Sequence, residues 1–301
     1  MKFFVIILNW NGKKYIEKCL DSVFSLKKND FDIEIILVDN ASTDDSADFI
    51  EQRYKGIKIL RNKENLGYAG GNNIGLKYAI ENGADYVLIL NPDTVVDNNL
   101  VAELLKTFST GNKVGIVGPK IYFAKGYEYH KDRYKEKDLG KVIFYAGGII
   151  DWNNILASHR GVDEVDKGQF NQSGETDFVT GCAMMISKEV ISKIGYFDEK
   201  YFLYWEDSDY CQRAKKAGFK LWYQPKGLVW HLDSGSSKVG GDLHDYFLTR
   251  NRMLFGLNYG SLRAKFALAR ESMKLVIAGR KWQKRGIQDY YLRRFGKGSW
   301  Q

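Results

Sequence analysis

Glu206, Asp207 and Asp209 fall within four positions of the stretch Tyr204-Trp205-Glu206-Asp207-Ser208-Asp209-Tyr210, where the sequence predicts the start of a helix running to about Ala217. Unpaired amides and the macrodipole favour negative charge at a helix N-terminus, which explains one or two of these acids. It does not explain the aromatic side chains on both sides. A carboxylate beside Tyr204 and Trp205 is partly desolvated, and desolvation raises its pKa and makes it a base. Asp207 is the candidate. A hydrolase using Glu206 and Asp207 as acid and base is the obvious competitor. Adjacent residues on a helix point about 100° apart, however, a poor geometry for flanking one bond.

Four more polar clusters invite chemistry: Asn9-Trp10-Asn11-Gly12, Asp39-Asn40-Ala41-Ser42, Asn62 to Gly71, and Asn91-Pro92-Asp93-Thr94. Asp39 either meets a ribose hydroxyl or base N–H, or caps a helix beginning near Asp44. Gly67-x-x-Gly70-Gly71-x-x-x-Gly75 opens a helix whose amides could approach a phosphate or sugar. It lacks a Walker lysine and follows the third strand, so neither a P-loop nor a dinucleotide fingerprint fits. Asp93 on a rigid Pro turn suits a hard divalent cation, although Asn-Pro-Asp is equally a plain turn. Thr180-Gly181 sits in an apolar run and leaves room for close approach of a ligand. Cys182 beside it reads as a small buried residue ahead of a thiol nucleophile. His231 reads either as structural or as a metal ligand, before a Gly/Ser-rich loop at Ser234 to Ser237 that is expected to be mobile.

These residues need elements to hold them. Val5 to Leu8, Ile33 to Val38, Ile57 to Leu60, Tyr86 to Leu90 and Val114 to Val117 are short strand-like runs. Between them lie helical segments at Lys13 to Leu26, Asp44 to Tyr54, Gly71 to Glu81 and Asn98 to Phe108. The alternation predicts an α/β fold with a mostly parallel central sheet and flanking helices. In such sheets ligands bind beyond the C-terminal strand ends, which is where the first four clusters fall. Lys125 to Lys141 reads as an exposed loop, Phe178 to Ile186 as one buried strand, and Ser187 to Ile194 as a short capped helix.

The 301 residues suffice for a full core. Three widely spaced cysteines (Cys19, Cys182, Cys211) argue against a disulfide framework or structural zinc and for a reducing cytoplasm. The apolar N-terminus stops at Asn9 without a cleavage site, so it reads as a strand. Net charge is +8, but His244 to Gln301 holds 13 Lys+Arg against 3 Asp+Glu, leaving the rest near neutral. In this tail Leu262, Phe266, Ala269, Met273, Val276 and Ile277 form an apolar stripe flanked by Arg263, Arg270, Lys274 and Lys281. The longest uncharged run is too short to span a bilayer. Two readings stay open: a membrane-surface helix, or a stripe packed on the main domain with solvated charges. No nucleic-acid recognition module appears.

In order and spacing, Ile7-Leu8-Asn9-Trp10-Asn11-Gly12, Val38-Asp39-Asn40-Ala41-Ser42-Thr43-Asp44-Asp45-Ser46, Asn65-Leu66-Gly67-Tyr68-Ala69-Gly70-Gly71-Asn72-Asn73-x-Gly75 and Leu90-Asn91-Pro92-Asp93 resemble family 2 glycosyltransferases, nearest the rhamnosyltransferase-like branch. The resemblance covers residues 3 to about 237. It implies a GT-A fold over residues 1–240, with a nucleotide-sugar-binding half (1–120) and an acceptor half (121–240), followed by a basic helical extension (241–301). It implies inverting transfer from a pyrimidine nucleotide-sugar (dTDP-rhamnose or a UDP-hexose) to a hydroxyl of a glycan or lipid-linked glycan. Asn9, Trp10, Asn11, Asp39, Asn65, Gly70, Asn91, Asp93 and Arg250 would contact the donor. A divalent cation (Mg²⁺ or Mn²⁺) would be held by Asp93 and His231, with Asn91 replacing the first acid of the family's D-x-D. Asp207 would be the base, and Trp205, Glu206, Thr180 and Gly181 would face the acceptor. The place implied is the cytoplasm, with a peripheral site on the inner membrane face as the expectation if the basic tail touches lipid. A nucleotide-sugar- or glycan-binding protein that keeps the fold without turnover is the alternative; Asp39, Asp93, Asp207 and His231 occurring together argue against it.

Overall fold

The computed structural model describes residues 1–27, 32–109, 113–232 and 240–300. Its first part alternates β1 (Lys2–Asn9), α1 (Ile16–Phe24), β2 (Asp32–Asp39), α2 (Ser46–Arg53), β3 (Ile57–Arg61), α3 (Gly67–Glu81) and β4 (Tyr86–Leu90). The apolar run Phe3 to Ile7 of β1 is wholly buried, because helices cover both faces of the sheet. Gly71 and Gly75 let α3 lie close on β1: a side chain at either position would collide with Leu8 or Ile6.

The chain continues through β5 (Thr94–Val96), α4 (Leu100–Phe108), β6 (Val114–Phe123), β7 (Ile143–Tyr145), the hairpin β8 (Gly148–Asp151) and β9 (Leu156–His159), β10 (Gly174–Glu175), β11 (Ala183–Ser187), α5 (Lys188–Ile194), α6 (Glu206–Lys216) and β12 (Lys220–His231). Three helices follow: α7 (Asp242–Tyr259), α8 (Leu262–Ala278) and α9 (Lys281–Tyr291). The main sheet runs β10-β12-β6-β11-β4-β1-β2-β3. The β4-β1-β2-β3 part is parallel, as the alternation predicts. β11 lies antiparallel between β4 and β6, so the sheet as a whole is mixed.

Two expectations change in detail. The Phe178 to Ile186 run is strand only from Ala183, since residues 179 and 181 give their amides to Cys211 Sγ and Asp207 instead of to a neighbouring strand. The 125–141 segment folds around buried Glu128, whose carboxylate accepts from Gly126 N (2.8 Å) and Gly140 N (2.6 Å). The Gly/Ser-rich Ser234 to Ser237 lies outside the described residues.

Candidate active site

The parallel strands end together. Asn9 is level with Asp39, and Asp39 with Arg61, so the polar clusters after β1 and β2 share one sheet edge. Asn9 is fully buried, and its Nδ2 donates to Ser42 Oγ (3.1 Å) and Ser46 Oγ (2.8 Å). Asn11 accepts from Thr43 N (2.7 Å), tying the first two loops together, while Trp10 stands exposed at the rim. Asp39 is 5% exposed, and among the described residues its carboxylate accepts one long hydrogen bond, 3.4 Å from Ser42 N. Asp44 rather than Asp39 bonds the first amide of α2, at 3.1 Å, so the capping role falls to Asp44. Asp39 is thus a buried acceptor with capacity to spare, and such capacity suits a ligand N–H or hydroxyl.

The turn before α3 is otherwise occupied. Asn65 Oδ1 accepts from Asn40 Nδ2 (2.9 Å) and Gly67 N (2.8 Å), and Asn40 Oδ1 accepts from Asn62 and Leu66. The amides of Tyr68 and Ala69, at the start of α3, point at the Phe202 carbonyl. Gly70 packs closely over Leu66, near Glu199. Asn65 and Gly70 therefore shape the turn and seat the helix, and the expected amide cradle for a phosphate or sugar is not open here.

Asp93 and His231, far apart in sequence, become neighbours because β5 pairs with β12, with Thr94 level with His231 and Leu232 N donating to Asp93 O (2.7 Å). Asp93 Oδ2 lies 3.4 Å from His231 Nε2. The imidazole stacks on Phe144 (ring centroids 4.6 Å apart), and among the described residues its Nδ1 has no hydrogen-bond partner. A carboxylate oxygen beside an imidazole nitrogen is a donor pair that would suit a hard divalent cation. Among the described residues no group of three His, Cys, Asp or Glu occurs here. Asn91 shapes the turn with its backbone, N donating to Cys182 O and O accepting from Thr94 Oγ1. Cys182 is buried with its thiol held well above the ordinary range by desolvation, so it stays protonated, as its apolar surroundings predict.

Asp207 opens α6 and faces Gly181. Its Oδ2 accepts from Gly181 N (3.0 Å), while Oδ1 accepts from Ser208 N (2.6 Å) and Ser208 Oγ (3.2 Å). Desolvation raises its pKa, and those hydrogen bonds pull the other way without cancelling the rise. Gly181 O accepts from Tyr68 Oη (2.5 Å), so α3 and α6 are latched through one glycine, where a side chain would strike the Tyr68 hydroxyl. Thr180 lies beside it, buried. Glu206 is 5% exposed, its carboxyl pushed far up by desolvation and then by the Asp207 charge, and its Oε2 has no hydrogen-bond partner among the described residues. Both carboxyls are held up by desolvation, Glu206 further by the adjacent Asp207 charge. Asp209 is structural, accepting from Tyr259 Oη (2.7 Å) and Arg213 Nε (2.8 Å).

Two expected ligand residues lie inside the fold. Trp205, expected to face the acceptor, is 6% exposed and packs on Phe255 of α7 at 4.6 Å, and among the described residues its Nε1 has no hydrogen-bond partner. Arg250 is not a diphosphate contact: it is wholly buried, and its guanidinium bonds the carbonyls of Lys200 (3.1 Å), Tyr201 (3.0 Å), Gly296 (2.7 Å) and Arg294 (3.4 Å). Asn251 beside it reaches Tyr201 O, Leu203 O and Tyr204 O at 2.7–2.9 Å. Together they brace a loop in which Phe202, Tyr204 and Trp205 all have φ between 63° and 73°. Such left-handed backbone costs roughly 1–2 kcal/mol per residue and persists only when surroundings impose it. This loop delivers the Asp207 helix.

The family model for glycosyl transferase family 2 matches residues 4–195. The chain belongs to glycosyl transferase family 2. This family 2 glycosyltransferase is 25% identical over 242 residues to an N-acetylglucosaminyl-diphospho-decaprenol L-rhamnosyltransferase of Mycobacterium tuberculosis, covering 77% of this chain and 76% of that one. It is 25% identical over 218 residues to the low-salt glycan biosynthesis hexosyltransferase Agl10 of Haloferax volcanii, covering 72% of this chain and 62% of the relative's length. Its fold matches the crystal structure of GalNAc-T7 with UDP, GalNAc and Mn²⁺ at a TM-score of 0.62 and 19% identity, over 97% of this chain and 57% of that one. The GT-A architecture implied by the motifs is thereby confirmed, and the mycobacterial relative carries the name of the rhamnosyltransferase branch that they resemble. Sequence reasoning had no signal for the Tyr68–Gly181 latch or for Phe144 behind His231, since each joins residues from unrelated segments.

Proposed function

We propose that the chain transfers a sugar from a pyrimidine nucleotide-sugar, dTDP-rhamnose or a UDP-hexose, to a hydroxyl of a glycan or lipid-linked glycan, with inversion. The observation that carries the reading is the Asp207 carboxylate, raised in pKa by desolvation and oriented by Gly181 N and Ser208 at the mouth of α6. Asp207 takes the proton of the acceptor hydroxyl as the oxygen attacks the anomeric carbon from the face opposite the leaving nucleoside diphosphate. One displacement gives inversion. Glu206, its carboxyl held up by desolvation and its Oε2 without a hydrogen-bond partner among the described residues, orients the acceptor beside the base. Two neighbouring carboxyls do not revive the hydrolase reading: adjacent residues on one helix point about 100° apart and cannot flank a single bond.

Asp39 receives the pyrimidine edge or ribose, with Asn9 and Asn11 shaping the floor and Trp10 at the rim. Asp93 and His231 would hold a divalent cation, Mg²⁺ or Mn²⁺, which when bound neutralises charge on the leaving diphosphate. The named acceptor of the mycobacterial relative, a sugar diphospho-lipid, supports a lipid-linked acceptor for this chain. No helix among the described residues is long and apolar enough to cross a membrane. A panel of UDP- and dTDP-sugars, read by nucleoside diphosphate release, tests the proposal. Release by wild type and not by Asp207→Asn is expected; equal release by both would refute it.

A further inference from the structure

The apolar stripe of the tail does not pack on the catalytic body. Leu262 is 75% exposed, Phe266 76%, Met273 61% and Ile277 79%. The face of α8 that does pack carries Ala264, Leu268 and Ser272, all buried, with Ser272 Oγ 2.8 Å from Tyr291 Oη of α9. At about 100° per residue, the exposed apolar residues form an arc centred roughly 135° from the buried face. α8 is thus apolar on two opposed faces, only one of which the fold uses.

Charge borders the unused face. By the same angular step Arg263, Arg270 and Lys274 lie along one flank and Lys265 along the other, so the apolar arc runs between two basic margins. The single acid of α8, Glu271, points toward α7, where it holds Arg252 at 2.7 Å and 3.0 Å. Nothing negative therefore opposes the basic flanks on this helix. The row from Leu262 to Ile277 is about 22 Å long, enough to lie along a surface and far short of crossing a bilayer.

We infer that α8 docks the protein on an anionic lipid surface, its apolar row entering the acyl boundary and its basic margins meeting the headgroups. A large apolar face alone fits several occupants. The two basic margins select a negatively charged one, and a bilayer is the flat negative partner that accepts side chains as bulky as Phe266 between its headgroups. A second copy of this chain would bring the same positive margins against themselves. The brace formed by Arg250 and Asn251 lies on α7, and Arg252 of that helix is tied to α8, so docking fixes the catalytic loop relative to the lipid plane. What the docking serves rests on the proposal of a lipid-linked acceptor. The surface itself stands on α8, and its test uses no donor.

The full chain is floated with vesicles of phosphatidylcholine alone or with ~30% phosphatidylglycerol, at about 0.1 M salt. Wild type is expected to partition onto the anionic vesicles at least about tenfold more strongly than onto the neutral ones. Phe266→Asp with Ile277→Asp, and separately Arg270→Glu with Lys274→Glu, should each reduce that partition about tenfold or more while leaving the helical circular dichroism unchanged. Partition equal to wild type in both double variants overturns the inference, as does failure of wild type to float. So does a wild-type dimer, seen by sedimentation, that the Phe266→Asp/Ile277→Asp chain cannot form.

Discussion

Replacing Arg250 by Lys separates two accounts of that residue more sharply than deletion does. A contact to a diphosphate depends on positive charge, which Lys retains. A brace depends on the planar fork, since four carbonyls are reached from Nη1 and Nη2 together. One ammonium can satisfy one or two of them. At least two of these hydrogen bonds are then lost, while Lys200 O keeps Gly296 N and Tyr201 O keeps Asn251 Nδ2, so at roughly 0.5–1.5 kcal/mol per bond the expected destabilisation is about 1–3 kcal/mol. The left-handed φ values at Phe202, Tyr204 and Trp205 would relax once the brace loosens, and the helix bearing Asp207 would lose its fixed start. Urea unfolding should show the stability loss. Kinetics at a temperature where the variant stays folded should show kcat lowered at least about tenfold, because a small misplacement of a base is costly. Donor affinity, read by calorimetry with the nucleoside diphosphate and cation, should stay within about twofold. Asn251→Ala should behave alike. A folded Arg250→Lys protein with normal kcat, or one whose main defect is donor affinity, would refute the brace.

Asp207→Asn should lower transfer about 10²–10⁴-fold with donor affinity intact, and in wild type kcat should fall as pH drops through a pKa raised above the ordinary carboxylate range. A flat acid limb in the rate profile would count against Asp207 as base. Glu206 binds a proton in the folded chain that the unfolded chain releases above the ordinary carboxylate pKa. Stability contributed by that proton is therefore present at low pH and declines as pH rises toward the raised folded value. Glu206→Gln, neutral throughout, should gain stability relative to wild type as pH rises across that window, measured by denaturant titration. His231→Ala should weaken Mn²⁺ binding in the presence of nucleoside diphosphate about tenfold or more, and unchanged binding by calorimetry would remove it as a ligand.

The strand-end geometry was legible in the sequence because it depends on local pattern. A buried apolar run ending in Asn9, Asp39 or Asn91 predicts both a parallel strand and a polar edge, and the paired register bears this out. The tail stripe was legible as a pattern, but its destination was not: the same spacing suits a face pressed on the body or one left outside, and only packing decides. Arg250 was misread for a related reason. An Arg-Asn pair shows charge and hydrogen-bonding capacity, while the acceptors that use it, carbonyls of residues 200–204 and 294–296, carry no signature in side-chain identity. Trp205 likewise offers the same indole to an acceptor sugar or to Phe255. Asn65 and Gly70 suggest an open turn by residue type alone, yet the space and hydrogen-bonding capacity around them are taken up by Asn40, Gly67 and Leu66.

The short pairing of β5 with β12 bears on how the molecule comes to be assembled. Asp93 belongs to the early part of the chain, and the strand bearing His231 enters the sheet beside β6, more than a hundred positions earlier in the sequence at the start of the pairing, as Lys220 opposite Val114 shows. Joining them closes a long loop, which is a slow, non-local event in folding. The β1–β2 edge proposed to receive the nucleoside is built on local βαβ contacts. During synthesis that edge can therefore mature before Asp93 meets His231, and a chain halted before β12 would keep the proposed nucleoside site without the proposed cation site.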